Sequence, residues 1–390
     1  MGKQKLGIAI VGLGGAVGTT IAAGLSLLKS GEIGADGLPL AGVDCGLAEY
    51  QQIGVGGWDL AGQDLAAAAL AHDVIPYRQF LLAEEDLERL VPWTAYGNRE
   101  FHKNIDGENR LGTVTHRETI EQIRKDIAGF GANFESVVIV NLASTESLTS
   151  VTGPEFETIE SFENAIDSNS NAISPSMLYA YAAISEGVPY ANFTPSVGVE
   201  IPALVAFAKS RNVPVAGKDG KTGQTFIKTV LAPALKSRAL KVSGWYSTNL
   251  LGNRDGLALS EENSLASKIK TKESVLRGIL GYEVEDHIVD IRYYKPRGDN
   301  KEAWDNVDFT GFLGQPMQLK VNFLCKDSVL AAPLAIEIAR CLDLAKRRGA
   351  AGIQEQLSVF FKDPMCDGVP VHEFHKQESM LLDWLDGENG

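Results

Sequence analysis

The sequence predicts an α/β protein. A doubly wound parallel sheet with a dinucleotide site comes first, and an α+β segment with an open sheet follows. Three observations predict this. The apolar run Leu6 to Val11 meets a glycine turn, Gly12-Leu13-Gly14-Gly15-Ala16-Val17-Gly18, and then an Ala- and Leu-rich helical stretch, Thr19 to Lys29. Strand-length and helix-length patterns then alternate as far as Lys209. Finally, His287 to Tyr294 and Met317 to Phe323 alternate like half-buried antiparallel strands.

The first strand is short and apolar, as a strand buried on both faces must be. At the turn, Gly12 permits the tight bend, Gly14 and Gly15 let backbone approach a pyrophosphate, and Gly18 lets the helix pack on the strand. The helix start adds free N–H groups and a partial positive charge. The bland reading of the same residues is a tight turn with no ligand.

Composition sets the bounds. The chain has 390 residues, 44% hydrophobic and 22% charged, which suits a globular protein of two or three domains. No run approaches the roughly 20 apolar residues of a membrane span, and no signal peptide is evident. The cysteines Cys45, Cys325, Cys341 and Cys366 are far apart and form no CxxC pair, so a reduced, cytoplasmic setting is expected. A net charge of -14 argues against nucleic acid as a partner. Yet Lys209 to Arg277 holds thirteen basic and five acidic residues. Such a basic island suits an anionic small molecule.

Gly31 to Gly62 reads as a long irregular connection. It offers two acids for an adenosine ribose. Asp44 ends the run Leu38 to Val43 and wins on spacing from the glycines. Asp59 stands in Gly56-Gly57-Trp58-Asp59-Leu60, before the alanine-rich helix Ala61 to Ala71. Glu84 to Leu90 and His116 to Ile127 read as helices, the second capped by Thr115 with Glu118 three residues on. Ser136 to Val140 is a β-branched strand ending in Asn141-Leu142-Ala143-Ser144-Thr145-Glu146, polar groups at the ligand edge of a doubly wound sheet. Glu155 to Asp167 and Pro175 to Glu186 read as helices. Val188 to Phe193 is a short strand ending in Thr194-Pro195-Ser196-Val197-Gly198, and Pro202 to Lys209 is a short helix.

Beyond it the alternation gives way. Gly217 to Thr225 is a polar loop with Asp219 and Lys221, feeding a helix, Phe226 to Ala239, with Lys228 in its first turn. Lysines at a helix start can hold phosphate, although the GxxxxGK[ST] order is absent. Strand Leu240 to Tyr246 runs into the polar turn Ser247 to Gly256. Ser267 to Lys272 would line its lysines on one face of a strand. Ser328 to Arg348 and Gln354 to Phe361 read as helices. His372 and His375 lack the HExxH order, and no metal is expected.

These residues carry a family. The chain resembles the myo-inositol-1-phosphate synthases over nearly its full length. Gly12 to Gly18 is similar to the family's GxGGNNG, and Val138 to Glu146 to its strand ending in LWTANTE. Asp219 to Lys228 resembles DxKSGQTKxK, and Asn249 to Gly256 resembles NHLGNNDG. Ser174-Pro175-Ser176 and Gly187 to Tyr190 also match. The resemblance implies a Rossmann-type NAD-binding domain, residues 1–198, completed by the C-terminal segment 326–390. An α+β catalytic and tetramerisation domain, 199–325, is inserted. It prefers Asp59 over Asp44 as the ribose acid, because the family's acid lies in a GWD segment.

The implied cofactor is NAD, the implied partner a hexose phosphate, and the implied assembly a homotetramer without membrane or nucleic acid. The implied reaction is a redox-neutral cyclisation of glucose 6-phosphate to 1D-myo-inositol 3-phosphate, through oxidation, enolisation, ring closure and reduction. By motif, the catalytic residues are Lys228 and Lys272, then Lys221 and Lys346, with Asp286 orienting a lysine. The cofactor residues are Gly12, Gly14, Gly15, Ala16, Val17, Asp59, Asn141, Ala143, Ser144, Thr145, Asp219 and Asp255. The substrate residues are Thr194, Pro195, Ser196, Asn249, Leu250, Leu251, Gly252 and Asn253.

The chain also departs from the family. Of the phosphate loop NGSPQNT only Asn192 and Pro195 are kept, with Thr194 in place of Ser. Phe226 replaces the first lysine of QTKxK. Leu250 replaces the histidine of NHLGNN, and Arg254 an asparagine. Ala16 and Val17 replace the paired asparagines. These changes leave open a related reaction, closure of fructose 6-phosphate to a five-membered cyclitol phosphate. An ordinary NAD-dependent sugar-phosphate dehydrogenase is the reading from a different reaction class.

Overall fold

The computed structural model describes residues 4–43, 45–102, 105–112, 114–147, 150–252 and 275–387. Two sheets organise them. The larger is a seven-stranded parallel sheet. Its strands are β1 (Gln4–Val11), β2 (Ile53–Asp59), β3 (Trp93–Thr94), β4 (Phe134–Asn141), β5 (Tyr190–Asn192), β6 (Pro214–Gly217) and β11 (Gly352–Ile353). Their order, β11-β6-β5-β4-β1-β2-β3, reverses direction between β1 and β4, the switch point where doubly wound sheets bind ligands. Val11 is in register with Trp58 on one side and Asn141 on the other, so the glycine turn emerges between two strand ends.

Helices cover both faces. One core is built by α1 (Ala16–Ser30), α2 (Leu65–His72), α3 (Tyr77–Glu88) and α9 (Asp327–Arg347), joined by α10 (Phe374–Leu385). The other is built by α4 (His116–Gly131), α5 (Ile159–Asp167), α6 (Pro175–Ser185) and α7 (Pro202–Ser210). The expected cap of α4 is a full capping box. Thr115 Oγ1 accepts the Glu118 amide at 3.2 Å, and Glu118 Oε2 accepts the Thr115 amide at 2.7 Å.

The second sheet has four strands in the order β10-β9-β7-β8. These are β7 (Lys241–Leu251), β8 (Asp286–Tyr293), β9 (Asn300–Thr310) and β10 (Pro316–Lys326). Helix α8 (Gln224–Ser237) packs on its inner face around Trp245 and Val307.

Several expectations change. The stretch read as an irregular connection contains β2, whose three glycines among apolar residues hide the strand pattern. Gly57 is required there: a Cβ would fall 2.0 Å from the Ile10 carbonyl oxygen. The alternation does not stop at Lys209, because β6 pairs parallel with β5 and β11. The large sheet therefore runs to Gly217, past the boundary expected at 198. β8 pairs parallel with β7, not antiparallel, while β10 does pair antiparallel with β9. β9 was not evident in sequence, since its buried positions mix Ala303, Asp305 and Val307. The segment Gln354 to Phe361 is a 3-10 helix over Glu355–Phe360. Ser267 to Lys272 lies outside the described residues.

Candidate active site

A cleft of about 250 Å³ opens where the strand ends of the parallel sheet meet the start of α9. Its floor is the glycine turn. Gly12 has φ +89°, a conformation that favours glycine, and a Cβ there would approach Ala143 N to 3.0 Å. A Cβ on Gly15 would meet the Gly12 carbonyl at 3.1 Å, and one on Gly18 the Leu13 carbonyl at 2.3 Å. The turn is pinned by Gly12 N and Leu13 N donating to Trp58 O at 2.8 and 3.0 Å. The N-cap of α1, Gly15, makes no side-chain cap, and the first turn holds no acid. The positive end of α1 is thus left for an anion, with Ala16 and Val17 beside it on the cleft wall.

Asp59 closes β2. Its Oδ2 accepts the Gly14 amide and its Oδ1 the Ala61 amide, each at 2.9 Å. Two backbone donors hold the carboxylate beside the turn, where it can accept the hydroxyls of a ribose. Asp44 lies outside the described residues. Next to Val11 stands the end of β4. Asn141 is fully buried; its Oδ1 accepts the Ala143 amide at 3.0 Å, and its Nδ2 donates to Ser176 Oγ at 3.1 Å. Ala143, Ser144 and Thr145 continue the wall. Glu146, the last of the polar run expected at this edge and given no role there, also lines it. Its Oε1 accepts both the amide and hydroxyl of Ser176 at 2.8 Å, and burial raises its pKa.

After β5, Thr194 and Pro195 reach the cleft. Thr194 Oγ1 accepts the Ser196 amide at 2.9 Å, and Ser196 Oγ accepts the Glu146 amide at 3.0 Å. Asn192 Nδ2 donates to Ser196 O at 2.7 Å. The loop is closed on itself by these bonds. The polar loop after β6 forms the opposite wall. Asp219, at φ +58°, pairs with Lys362 at 2.7 Å, both side chains about nine-tenths buried. Thr222 Oγ1 donates to Asp327 Oδ1 at 2.9 Å, and Lys301 pairs with Asp327 at 3.2 Å. Lys362 and Lys301 were missed in the sequence. They come from distant segments, and only the fold brings them to this loop.

The same loop runs on into α8. Lys228 is 1% exposed, with Nζ 3.1 Å from His287 Nε2 and 5.6 Å from the Trp245 ring centroid. Below it lies a buried polar network on the inner face of the second sheet. Gln224 donates to Asp305 Oδ2 at 3.0 Å and accepts from Asn249 Nδ2 at 2.5 Å. Asp305 also accepts from Trp245 Nε1 and Ser247 Oγ, at 2.7 and 2.6 Å. His287 was missed because the neighbouring Asp286 matched the motif. On a strand the two point to opposite faces. His287 meets Lys228, while Asp286 is exposed, so Lys228 is not the lysine that Asp286 orients.

Three further expectations are corrected by placement. Lys221 is buried but turns from the cleft toward α10, where Nζ bonds Gln377 Oε1 and lies 5.9 Å from the Phe374 centroid. Burial lowers its pKa to about 7. Lys346 sits near the far end of α9, about 27 Å beyond Ser328 at the helical rise, and donates to Asn212 O at 2.7 Å. Leu250 alternates with Asn249 and Leu251 along β7 and so faces away from α8. Gly252 packs against backbone, with a Cβ position 2.6 Å from Gly298 N. Asn253, Arg254, Asp255 and Lys272 lie outside the described residues. His372 is buried near Lys221, and burial together with that lysine lowers its pKa.

The family model of the NAD-binding myo-inositol-1-phosphate synthases matches residues 45–386. Inositol-3-phosphate synthase 1 of Bacteroides thetaiotaomicron is 40% identical, over 98% of this chain and 95% of that protein. The structure of inositol-3-phosphate synthase from Caenorhabditis elegans superposes with a TM-score of 0.90 at 26% identity, covering 98% of this chain and 85% of that one. A myo-inositol-1-phosphate synthase-related protein from Thermotoga maritima gives 0.82 at 25% identity, covering 98% of both chains. The cofactor of this fold is NAD, and the residues present fit it: a glycine cradle that side chains would fill, an uncapped helix start, and a carboxylate at the end of β2. With the motifs, the strand order and the matching family model in agreement, this chain belongs to the myo-inositol-1-phosphate synthase family of isomerases.

Proposed function

We propose that the protein closes glucose 6-phosphate to 1D-myo-inositol 3-phosphate with no net consumption of NAD. One observation carries the reading. The loop whose Asp219 walls the cofactor cleft continues directly into a lysine buried to 1% exposure, its amine 3.1 Å from an imidazole. That arrangement joins a hydride-accepting site to a fixed ammonium donor in a water-poor setting.

A bound NAD would supply a hydride acceptor for the C5 carbinol and a hydride donor for the closed ring. The chain's own residues do the rest. The start of α1 and Asp59 hold the cofactor. Lys228 donates to the oxygen that gains negative charge when C5 is a ketone and C6 loses its proton, and again when C6 bonds to the C1 aldehyde carbon. Fixed donors aimed at developing oxyanions are what this sequence of steps requires. His287 orients the Lys228 amine and offers a proton acceptor beside it. Lys362, held by Asp219, is the lysine we place in the role expected of Lys346. Lys272 keeps its proposed role as the second proton-transfer lysine.

Division of the chain into an NAD-binding unit, with the sheet counted to Gly217, and a catalytic and tetramer-forming unit up to residue 325 belongs to the same proposal. Support for the tetramer is the outer face of the second sheet, where Ile288 is 52% and Leu324 61% exposed. A cytoplasmic setting accords with the free cysteines, and no described helix is long and apolar enough to cross a membrane. A second reading, closure of fructose 6-phosphate to a five-membered cyclitol phosphate, is favoured by one observation: Phe193 occupies the phosphate loop where the family motif has glycine. The test is incubation of the protein and catalytic NAD with each sugar phosphate, with the product identified by NMR. An inositol phosphate from glucose 6-phosphate supports the first reading. A cyclopentane product from fructose 6-phosphate alone supports the second.

A further inference from the structure

The two walls of the cleft interlock at one point. Phe193 follows β5 directly, its amide donating to Asn141 O at 3.0 Å and its carbonyl accepting the Gly220 amide at 3.0 Å. The phenyl ring lies over Gly220 itself. A Cβ on Gly220 would fall 2.0 Å from the ring's Cζ and 2.1 Å from Cε1, so any side chain there would displace the ring. The ring also packs on Phe361, whose centroid is 6.4 Å away in an edge-to-face arrangement. Phe361 precedes Lys362, the partner of Asp219, and Gly220 follows Asp219. Phe193, Gly220 and Lys362 all line the cleft.

The ring therefore occupies space that only a glycine at 220 leaves open. An aromatic side chain stands in the loop that the family motif gives over to glycine and polar residues. It also stands beside the buried Asp219–Lys362 ion pair on the cleft wall. A rigid apolar surface at that place discriminates by shape, because it offers no hydrogen bond to exchange between a substrate and its isomer.

We propose that Phe193, seated on Gly220, is the specificity-determining wall of the sugar-phosphate end of the cleft, selecting one hexose phosphate over its aldose or ketose isomer. This rests on the hexose-phosphate reading above. The residue acts on the carbon skeleton of the substrate and not on NAD.

The experiment compares the wild type, Phe193→Ala, Phe193→Leu and Gly220→Ala. For each, kcat/KM is measured with glucose 6-phosphate and with fructose 6-phosphate, Kd for NAD by calorimetry, and Tm. The expected result is a ratio of the two kcat/KM values that shrinks by about tenfold or more in Phe193→Ala. Phe193→Leu should fall between it and the wild type, and Kd for NAD should change by less than about twofold. Gly220→Ala should lower Tm by displacing the ring, and Phe193→Ala/Gly220→Ala should recover that loss. An unchanged ratio in both Phe193 variants would overturn the proposal, as would a loss confined to NAD affinity, which would make Phe193 a cofactor contact. A wild type that turns over neither sugar phosphate sinks the hexose-phosphate reading, and the proposal with it. If Phe193→Ala does not fold, the ratio in Phe193→Leu alone decides.

Discussion

The two halves of the cleft are built from different materials. The cofactor half is made of backbone: three glycines, the first N–H groups of α1, and one carboxylate held by two amides at 2.9 Å. The lysine half is made of buried side chains that meet across long stretches of chain. Asp219 reaches Lys362, Thr222 reaches Asp327, and Lys228 reaches His287. The first half binds by leaving polar backbone unspent at a strand–helix junction. The second holds charge in place by enclosing it, so each charged group there depends on a partner.

That difference predicts how each half fails. The largest effect should follow Lys228→Met. Loss of a fixed oxyanion donor lowers kcat by about a hundredfold to a thousandfold, while Kd for NAD, measured by calorimetry, stays within about twofold. A parallel loss of NAD affinity would mean that the halves are not separable.

Next comes the ion pair. Lys362→Met strands the Asp219 carboxylate, which is 6% exposed, and should lower stability by about 3 kcal/mol in urea unfolding. Adding Asp219→Asn should recover part of that. Equal losses in the single and double variants would show that the pair is not coupled.

Lys221 separates burial from catalysis. Its folded pKa is about 7, against roughly 10.4 in an unfolded chain. Between those values the unfolded chain binds the extra proton, so stability rises with pH over that window. Below it the penalty is full and constant. Lys221→Met should therefore raise Tm most near pH 7 and little above pH 10. A pH-independent shift would mean the amine is not buried as described. The smallest effect is expected at Lys346, half-buried and bonded to a carbonyl far from the cleft. Lys346→Ala should change kcat/KM by less than about twofold and stability by less than 0.5 kcal/mol.

The same difference decides what could be read from sequence. The glycine turn, the β4 end at Asn141 and the α4 cap were legible because each is a local pattern whose residues lie within a few positions of one another. Asp59 needed the family motif, since β2 is hidden by its glycines and the spacing favoured Asp44. Lys362 and Lys301 carry no local signature: the first follows a pair of phenylalanines, the second opens a strand whose buried face includes Asp305. Lys346 was chosen by motif in a helix, where a shift of register leaves the residue types plausible. Only the packing of α9, with its first turn at the cleft and its last turn remote, separates the two ends. His287, one position from the Asp286 that the motif picks out, is the residue that meets Lys228, and on a strand one position reverses the face.

Redox-neutral closure requires that hydride removed from the sugar be returned to it on the same site. The direct measurement uses glucose 6-phosphate deuterated at C5, with NAD at one hundredth of its concentration, followed by NMR. Redox-neutral closure gives many product molecules per NAD, each an inositol phosphate with its deuterium retained. Product limited to one equivalent of NAD, with the deuterium in the reduced cofactor, would contradict it and identify an ordinary dehydrogenase.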